Sequence, residues 1–482
     1  MLEHLDSKQI AIRTRRAFLG RVGGGFGRLA LLDLLAREGT SGDKTSSSPL
    51  EGRPPHHPAT ARSVISLFMN GGPSHLDLFD PKPELTRQDG RRLPRSETPE
   101  VFFGAPGPLM ASPFQFAQHG QSGRWVSELM PKTAGVVDDL AFIHSMRADS
   151  NNHAPALFQM NTGQARPGHP SLGAWTTYGL GSPNRNLPGF VVLCDPVGGP
   201  IGGSPNWGSG YLPAAFSATP FRPEGEPILD LNPSPNESTE RQTARRDLLR
   251  SINQDHLQAR PEQPDLAARI ESYELAFRMQ GEAPEAVDLS RESAETKRLY
   301  GLENPVSASY GRRLLIARRL VERGVRFVQI YSGGGAFEDN WDAHYDLVKN
   351  HKKRCAETDG PVAALIIDLK RRGLLDQTLV LWGGEFGRMP VSQARLGRDH
   401  NPHGFTCWMA GGGVKPGVSI GRTDDFGLKA VENPVHIHDW HATILHLLGI
   451  DHTRLTYADE GRAKRLTDVS GRVLQELLQS PT

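Results

Sequence analysis

Cysteine is scarce in this 482-residue chain: Cys194, Cys355 and Cys407 are the only three, far apart and odd in number. That excludes a disulfide scaffold and any zinc site built on thiolates. A surplus of one charge is also missing. Lys and Arg total 55 against 54 Asp and Glu, a formal net charge of +1. This argues against a nucleic-acid partner, because nucleic-acid-binding proteins concentrate positive charge on one face. No internal repeat is present. No Gly-rich dinucleotide fingerprint stands in a strand–helix context either, since Gly23-Gly24-Gly25-Phe26-Gly27 falls in the N-terminal leader, so a redox enzyme is not expected. What the chain does carry is histidine and glycine, 18 and 52 residues, and they cluster.

Long hydrophobic runs are lacking too. The apolar stretch Gly20–Ala36 is interrupted by Arg21, Arg28 and Asp33, charges too costly in hydrocarbon for a stable membrane span. It follows Thr14-Arg15-Arg16-Ala17-Phe18-Leu19. A twin-arginine pair before Phe-Leu resembles the bacterial signal that exports proteins already folded; a basic amphipathic helix is the alternative. Residues 1–38 are thus expected to be an export signal. Residues 39–62, rich in Ser, Pro and Gly, are expected to be a disordered linker, with one large domain over 63–475.

Six short apolar runs have strand length and β-branched or aromatic content: Val64–Met69, Leu140–His144, Phe190–Cys194, Val325–Tyr331, Leu379–Trp382 and Thr406–Ala410. Unbroken apolar runs suit strands covered on both faces of a largely parallel sheet. Helix-like stretches alternate with them at Val126–Val137, Leu172–Gly179, Gly311–Arg323, Pro361–Arg372 and Trp440–Leu448, which implies α/β layering. From Pro220 to about Ala308 the chain turns polar, with helical patterning over Gln242–Arg260 and Asp265–Met279. It is read as a helical insertion on one side of the sheet, serving as a lid or an oligomer contact.

Polar residues follow the strands. Asn70-Gly-Gly-Pro-Ser-His75-Leu-Asp77 follows the first, Asp149-Ser150-Asn151-Asn152-His153 the second, and Asp342-Ala-His344 the fourth. Glu385-Phe-Gly-Arg388 follows the fifth, and Asp399-His400-Asn401-Pro402-His403 precedes the sixth on what reads as a loop. Ligands in open parallel sheets sit outside the carboxyl ends of the strands, so five such clusters define a site. Carboxylates and imidazoles without thiolates suit zinc, manganese, magnesium or calcium. Asp342 and His344 share one side of an extended segment, Glu385 follows a buried strand, and His400 and His403 offer nitrogens. Arg388 and Arg166 are candidates for holding an oxyanion. The structural alternatives are a Glu385–Arg388 ion pair and a helix cap at His344. Asp439 is read as the N-cap of a helix carrying His441 and His446, with His438 at the edge of the site. Ser74, His75 and Asp77 have triad residue types, but neighbours in one loop rarely converge as a triad.

Four segments together resemble a known family: Met69–Lys82, Asn152-His153-Ala-Pro with Thr162-Gly163 and Pro170–Trp175 after it, Trp382–Arg388, and Gly397–Gly404. They are similar to the exported bacterial family called domain of unknown function 1501, which is similar in turn to the alkaline phosphatase and sulfatase superfamily. The resemblance implies an alkaline phosphatase-like three-layer α/β sandwich and a divalent-metal hydrolase of phosphate or sulfate esters. Asn70 matches the first metal-binding position, with Asp77 a few residues on. Asp342, His344 and His403 match later ligands, and Glu385 replaces an Asp-His pair. Ser150 is the hydroxyl of the nucleophile region, with Asn152 or His153 orienting the ester. A formylglycine sulfatase is excluded, because no cysteine lies in a Cys-x-Pro-x-Arg context. A small anionic ester or a sulfated polysaccharide is the expected substrate; the alternative is a non-catalytic exported binding or assembly protein.

Overall fold

A computed structural model describes residues 50–479, apart from 95, 97–98, 103, 229–237, 261–263, 336–338 and 395. The expected export signal and most of the linker lie outside the described residues. The described part of that linker, 50–62, does not hang free. Its backbone donates from Arg53 to the Leu180 carbonyl, from His56 to Gly449 and from Ala61 to Leu447, at 2.8–3.0 Å.

Eleven strands matter here: β1 Ser63–Met69, β2 Leu140–Arg147, β3 Phe190–Leu193, β4 Thr219–Pro220, β5 Phe327–Ser332, β6 Thr378–Gly383, β7 Gly387–Gln393, β8 Gly397–Asn401, β9 Phe405–Ala410, β10 Ser419–Ile420 and β11 Val435–His436. Nine of them form one sheet in the order β10-β2-β9-β6-β1-β5-β3-β4, with β11 also pairing β2. All neighbours are parallel except β9, which runs antiparallel to both β2 and β6. The six apolar runs are therefore the six principal strands. They carry two cores because side chains alternate between faces: Ile65, Leu67 and Met69 of β1 enter one, while Val64 and Phe68 enter the other.

Helices cover both faces, giving three layers. The first core takes α5, Ala308–Glu322, and α6, Leu347–Arg371; the second takes α2, Leu172–Leu180, and α7, Ile437–Leu447. Within the polar stretch, α3, Thr239–Gln258, and α4, Pro264–Val287, are helical, and Leu275, Met279 and Ala283 of α4 pack into the first core alone.

Three readings need correction. Val126–Val137 is not a helix: Arg124–Ser127 pairs as a strand with Phe116–His119, and Thr133–Asp139 is 3-10 helical. Pro131 explains the break, since the residue before proline is pushed out of the helical region. The helix expected from Pro361 begins at Leu347, its first turns disguised by the polar run Lys349–Arg354. In α7 the N-cap is His436, and Asp439 completes a capping box by accepting the His436 N–H at 3.0 Å.

Two buried histidines make the fold pH-sensitive. His75 donates through Nε2 to the Gly427 carbonyl and His441 through Nε2 to Met160, both at 2.9 Å. Burial lowers His75 to about 4 and His441 to about 3. The unfolded chain takes up protons near pH 6.5 that these folded rings refuse, so stability is complete above that pH and is lost as pH falls toward 4. Each ring is expected to cost on the order of 2–3 kcal/mol by pH 4.5. Denaturant unfolding from pH 7 to 4.5 checks this, and His441→Gln should flatten the slope.

Candidate metal centre

The carboxyl ends of β1, β5 and β6 supply the floor of the site. Asn70 and Gly71 follow β1, Asn340–His344 lies in the loop after β5, and Glu385 comes two residues after β6. Gly71 has φ +105°, and a Cβ there would stand 2.6 Å from the Asp342 backbone nitrogen. Only glycine lets the two loops touch. The remaining groups come from α1, His153–Thr162, and from the antiparallel hairpin of β7 and β8. His400 thus stands on a strand, not on the loop expected for it, because β8 pairs with β7 through His400 and Arg388.

Four buried side chains meet: His153, Asp342, His344 and His400 offer ligand atoms that all lie within 4.8 Å of one another. His344 Nε2 is 2.9 Å from Asp342 Oδ1, His400 Nε2 is 3.2 Å from the same oxygen, and the two Nε2 atoms are 2.9 Å apart. His153 Nε2 lies 3.3 Å from Asp342 Oδ2 but has no hydrogen-bonding partner among the described residues.

Each ring is turned by a group behind it. His400 Nδ1–H donates to the Asn151 carbonyl at 2.6 Å, and His344 Nδ1–H to Gln393 Oε1 at 2.5 Å. His153 Nδ1–H donates to Glu385 Oε1 at 2.7 Å. Since Nδ1 carries the hydrogen in His344 and His400, their Nε2 atoms present lone pairs. Burial and the Arg388 guanidinium hold His400 well below its ordinary value, outweighing Asp342, so its ring carries no second proton. Three polar atoms thus crowd to 2.9–3.2 Å of one another, an arrangement that a cation between them would satisfy. Edges of about 2.9–3.4 Å are what bonds of about 2.0–2.1 Å produce around a zinc-sized ion. Charge agrees in sign. The carboxylates of Asp342, Glu385 and Asp399 are all buried, against the Arg388 guanidinium on Asp342 and the His153 ring between Asp342 and Glu385.

Asp342 remains ionised. Burial opposes its charge, but the Arg388 guanidinium, 2.7 Å away, and the imidazoles gathered around it hold it far below the usual carboxylate range. His153, between two carboxylates, is raised to about 9 despite its burial.

The expected residues divide cleanly. Glu385 stands behind His153, its oxygens accepting the Gly71 N–H at 3.0 and 3.2 Å. Asp77 is in a buried pair with Arg398 at 2.8 Å and accepts from Ser74, a structural role. His403 is exposed, its N–H donating to Asn401 Oδ1 at 3.1 Å; with β8 ending at Asn401, the chain turns His403 away from the cluster. Asn70 donates to the Gly333 carbonyl at 3.3 Å, and its Oδ1 has no partner among the described residues. Ser150 Oγ accepts the Asn152 N–H at 3.1 Å, and the exposed Asn152 caps α1 without using its side chain. Arg388 neither pairs with Glu385 nor is free for an oxyanion: it donates to the carbonyls of Gly71, Gly72, Trp341 and Arg398 as well as to Asp342. Arg166 is exposed beyond α1. His344 caps no helix, since Asp346 does so for α6. His438 holds the Gly163 carbonyl at 2.7 Å. Asp399 was read as part of its cluster, but Gln393 and the Asn151 carbonyl went unread in sequence, which gives no sign that a hairpin folds back onto the edge of the sheet.

Residues 61–478 match the model of the family described as "Protein of unknown function (DUF1501)". The chain belongs to that family. No curated protein matches this DUF1501 chain. Similar solved structures include a phosphonate monoester hydrolase from Silicibacter pomeroyi (14% identity, 73% of this chain and 72% of that one, TM-score 0.34). A sulfatase from Pseudoalteromonas sp. is also similar (15%, 88% and 71%, TM-score 0.36). So is the TAB5 alkaline phosphatase (10%, 75% and 94%, TM-score 0.32). Scores this low carry nothing about the chemistry of the DUF1501 site.

Four substitutions separate ligand from neighbour. His344→Ala and His400→Ala should each empty the purified protein of divalent metal by elemental analysis, while His403→Ala should leave its metal content unchanged. Glu385→Gln, which weakens only the acceptor behind His153, should lower affinity about 10- to 100-fold.

Proposed function

We propose that the protein is a metal-dependent hydrolase of phosphate or sulfate esters, working outside the cytoplasm. The observation that carries this reading is the convergence of three imidazoles and one carboxylate, with His344 Nε2, His400 Nε2 and Asp342 Oδ1 only 2.9–3.2 Å from one another. His153, Asp342, His344 and His400 would hold it; a set so rich in nitrogen favours zinc or manganese over calcium or magnesium. A bound divalent ion supplies Lewis-acid polarisation of an ester oxygen and a lowered pKa for bound water.

The chain's own residues do the positioning. Glu385, Gln393 and the Asn151 carbonyl fix which ring nitrogen faces the centre, and Arg388 holds Asp342 ionised and in register. Asn152, at the exposed start of α1, would hydrogen-bond the ester, and Ser150 beside it would be the candidate hydroxyl. The substrate would be a small anionic ester or a sulfated polysaccharide. Support for export is the twin-arginine leader in the sequence; no helix among the described residues is long and apolar enough to cross a membrane.

One observation favours a second reading. With every contact of Arg388 directed into the protein, the floor of the site offers no spare guanidinium for an oxyanion, as a non-catalytic binding protein would tolerate. Nitrophenyl phosphate, phosphodiester and sulfate assays on metal-depleted and metal-reloaded protein decide between the two. Hydrolysis that returns with metal, disappears in His344→Ala and shows a several-fold higher KM in Asn152→Ala supports the hydrolase. Saturable binding of a sulfated polysaccharide with no turnover of any ester would establish the alternative.

A further inference from the structure

Helix α3 is 20 residues long, yet none of its described side chains is buried. Tertiary packing normally supplies most of a helix's stability, and here it comes from one side only. On that side lies α4, where the Arg246 guanidinium stands 4.6 Å from the centre of the Phe277 ring and Arg250 pairs with Glu274 at 2.6 Å. Roughly opposite, by the helical repeat, a stripe runs the length of α3 through Arg241, Arg245, Leu248, Ile252, Asp255 and the C-cap residue Ala259. All six are exposed. Their alternating steps of four and three residues are the spacing of a seam between two helices that pair lengthwise. The middle of the stripe is apolar: Leu248 and Ile252, with Leu249 beside them, are 61%, 53% and 52% exposed. Its ends differ in sign, with two arginines toward the start of α3 and an aspartate toward its end.

This stripe is complementary to itself in one direction only. Two copies of α3 lying parallel would set Arg241 and Arg245 against their own counterparts, like charge against like. Antiparallel, about a two-fold axis at the level of Arg250, Leu248 meets the partner's Ile252 and Arg245 meets the partner's Asp255, and symmetry makes each contact twice. We propose that two copies of the chain associate through α3 as an antiparallel helix pair, apolar in the middle and closed at each end by Arg245 and Asp255. A single helix pair belongs with the interfaces below roughly 1,200 Å² that associate weakly, so the dimer forms at micromolar concentrations. The inference does not depend on the hydrolase reading, because it asks nothing of the metal centre.

Sedimentation velocity on the whole protein from about 1 to 100 μM, the range in which weak interfaces fill, tests it. A reversible monomer–dimer equilibrium is expected, and Ile252→Glu should leave only monomer across that range. Arg245→Glu and Asp255→Arg should each weaken the dimer about tenfold, because every substitution in a two-fold interface counts twice. Combined in one chain, the two reversals re-form the pair with opposite polarity and should restore dimerisation to within about twofold. That rescue belongs to the antiparallel register alone. His344→Ala should dimerise like the parent protein, so failure of the metal centre and failure of this surface are distinguishable. Leu248→Gln serves as the second apolar variant if Ile252→Glu does not fold. Monomer at every concentration, a dimer indifferent to Ile252→Glu and Leu248→Gln, or a double reversal no better than either single one would overturn the proposal.

Discussion

The carboxylate of Asp342 is the point on which the arrangement turns. A buried carboxylate is expensive to keep ionised, and four groups from four parts of the chain share that cost: His153 from α1, His344 two residues on, Arg388 from β7 and His400 from β8. Removing any one leaves the others facing an under-compensated charge. The same constraint explains why Arg388 is so thoroughly tied down. By donating to the carbonyls of Gly71 and Trp341 as well as to Asp342, it fastens the loops after β1 and β5 together at the height the carboxylate requires.

Glycine makes that fastening possible. Gly71 has no side chain to keep the β1 loop away from Asp342, and its N–H goes to Glu385, which orients His153. A single backbone position therefore connects the acid at the centre with the acid behind one of its histidines. The Glu385–His153 pair is the carboxylate–imidazole arrangement in which an outer acid raises the basicity of a ring that could hold a metal. The other two rings lean on neutral acceptors, Gln393 and a backbone carbonyl. The three imidazoles are thus not equivalent, and His153, raised to about 9 by its two carboxylates, is the one that competes most with protons for its place at the centre.

The layer plan was legible because its signal is local. Six uninterrupted apolar runs could be covered only on two faces, and each proved to be a strand of one sheet. The site was half legible. Asp342-x-His344 was readable from its spacing, and Glu385, read as a ligand, lies behind His153. His153 was assigned to the ester, although its place at the first residue of α1 turns it toward Asp342. Between His400 and His403 nothing in the residues decides; the deciding fact is that β8 ends at Asn401, and a hairpin of largely polar residues that is nevertheless buried leaves no alternating pattern to find. Asp77 looked like a ligand because an acid near a glycine pair resembles one, yet Arg398, more than 300 positions away in sequence, neutralises it. Long-range pairing of this kind is invisible to any local pattern.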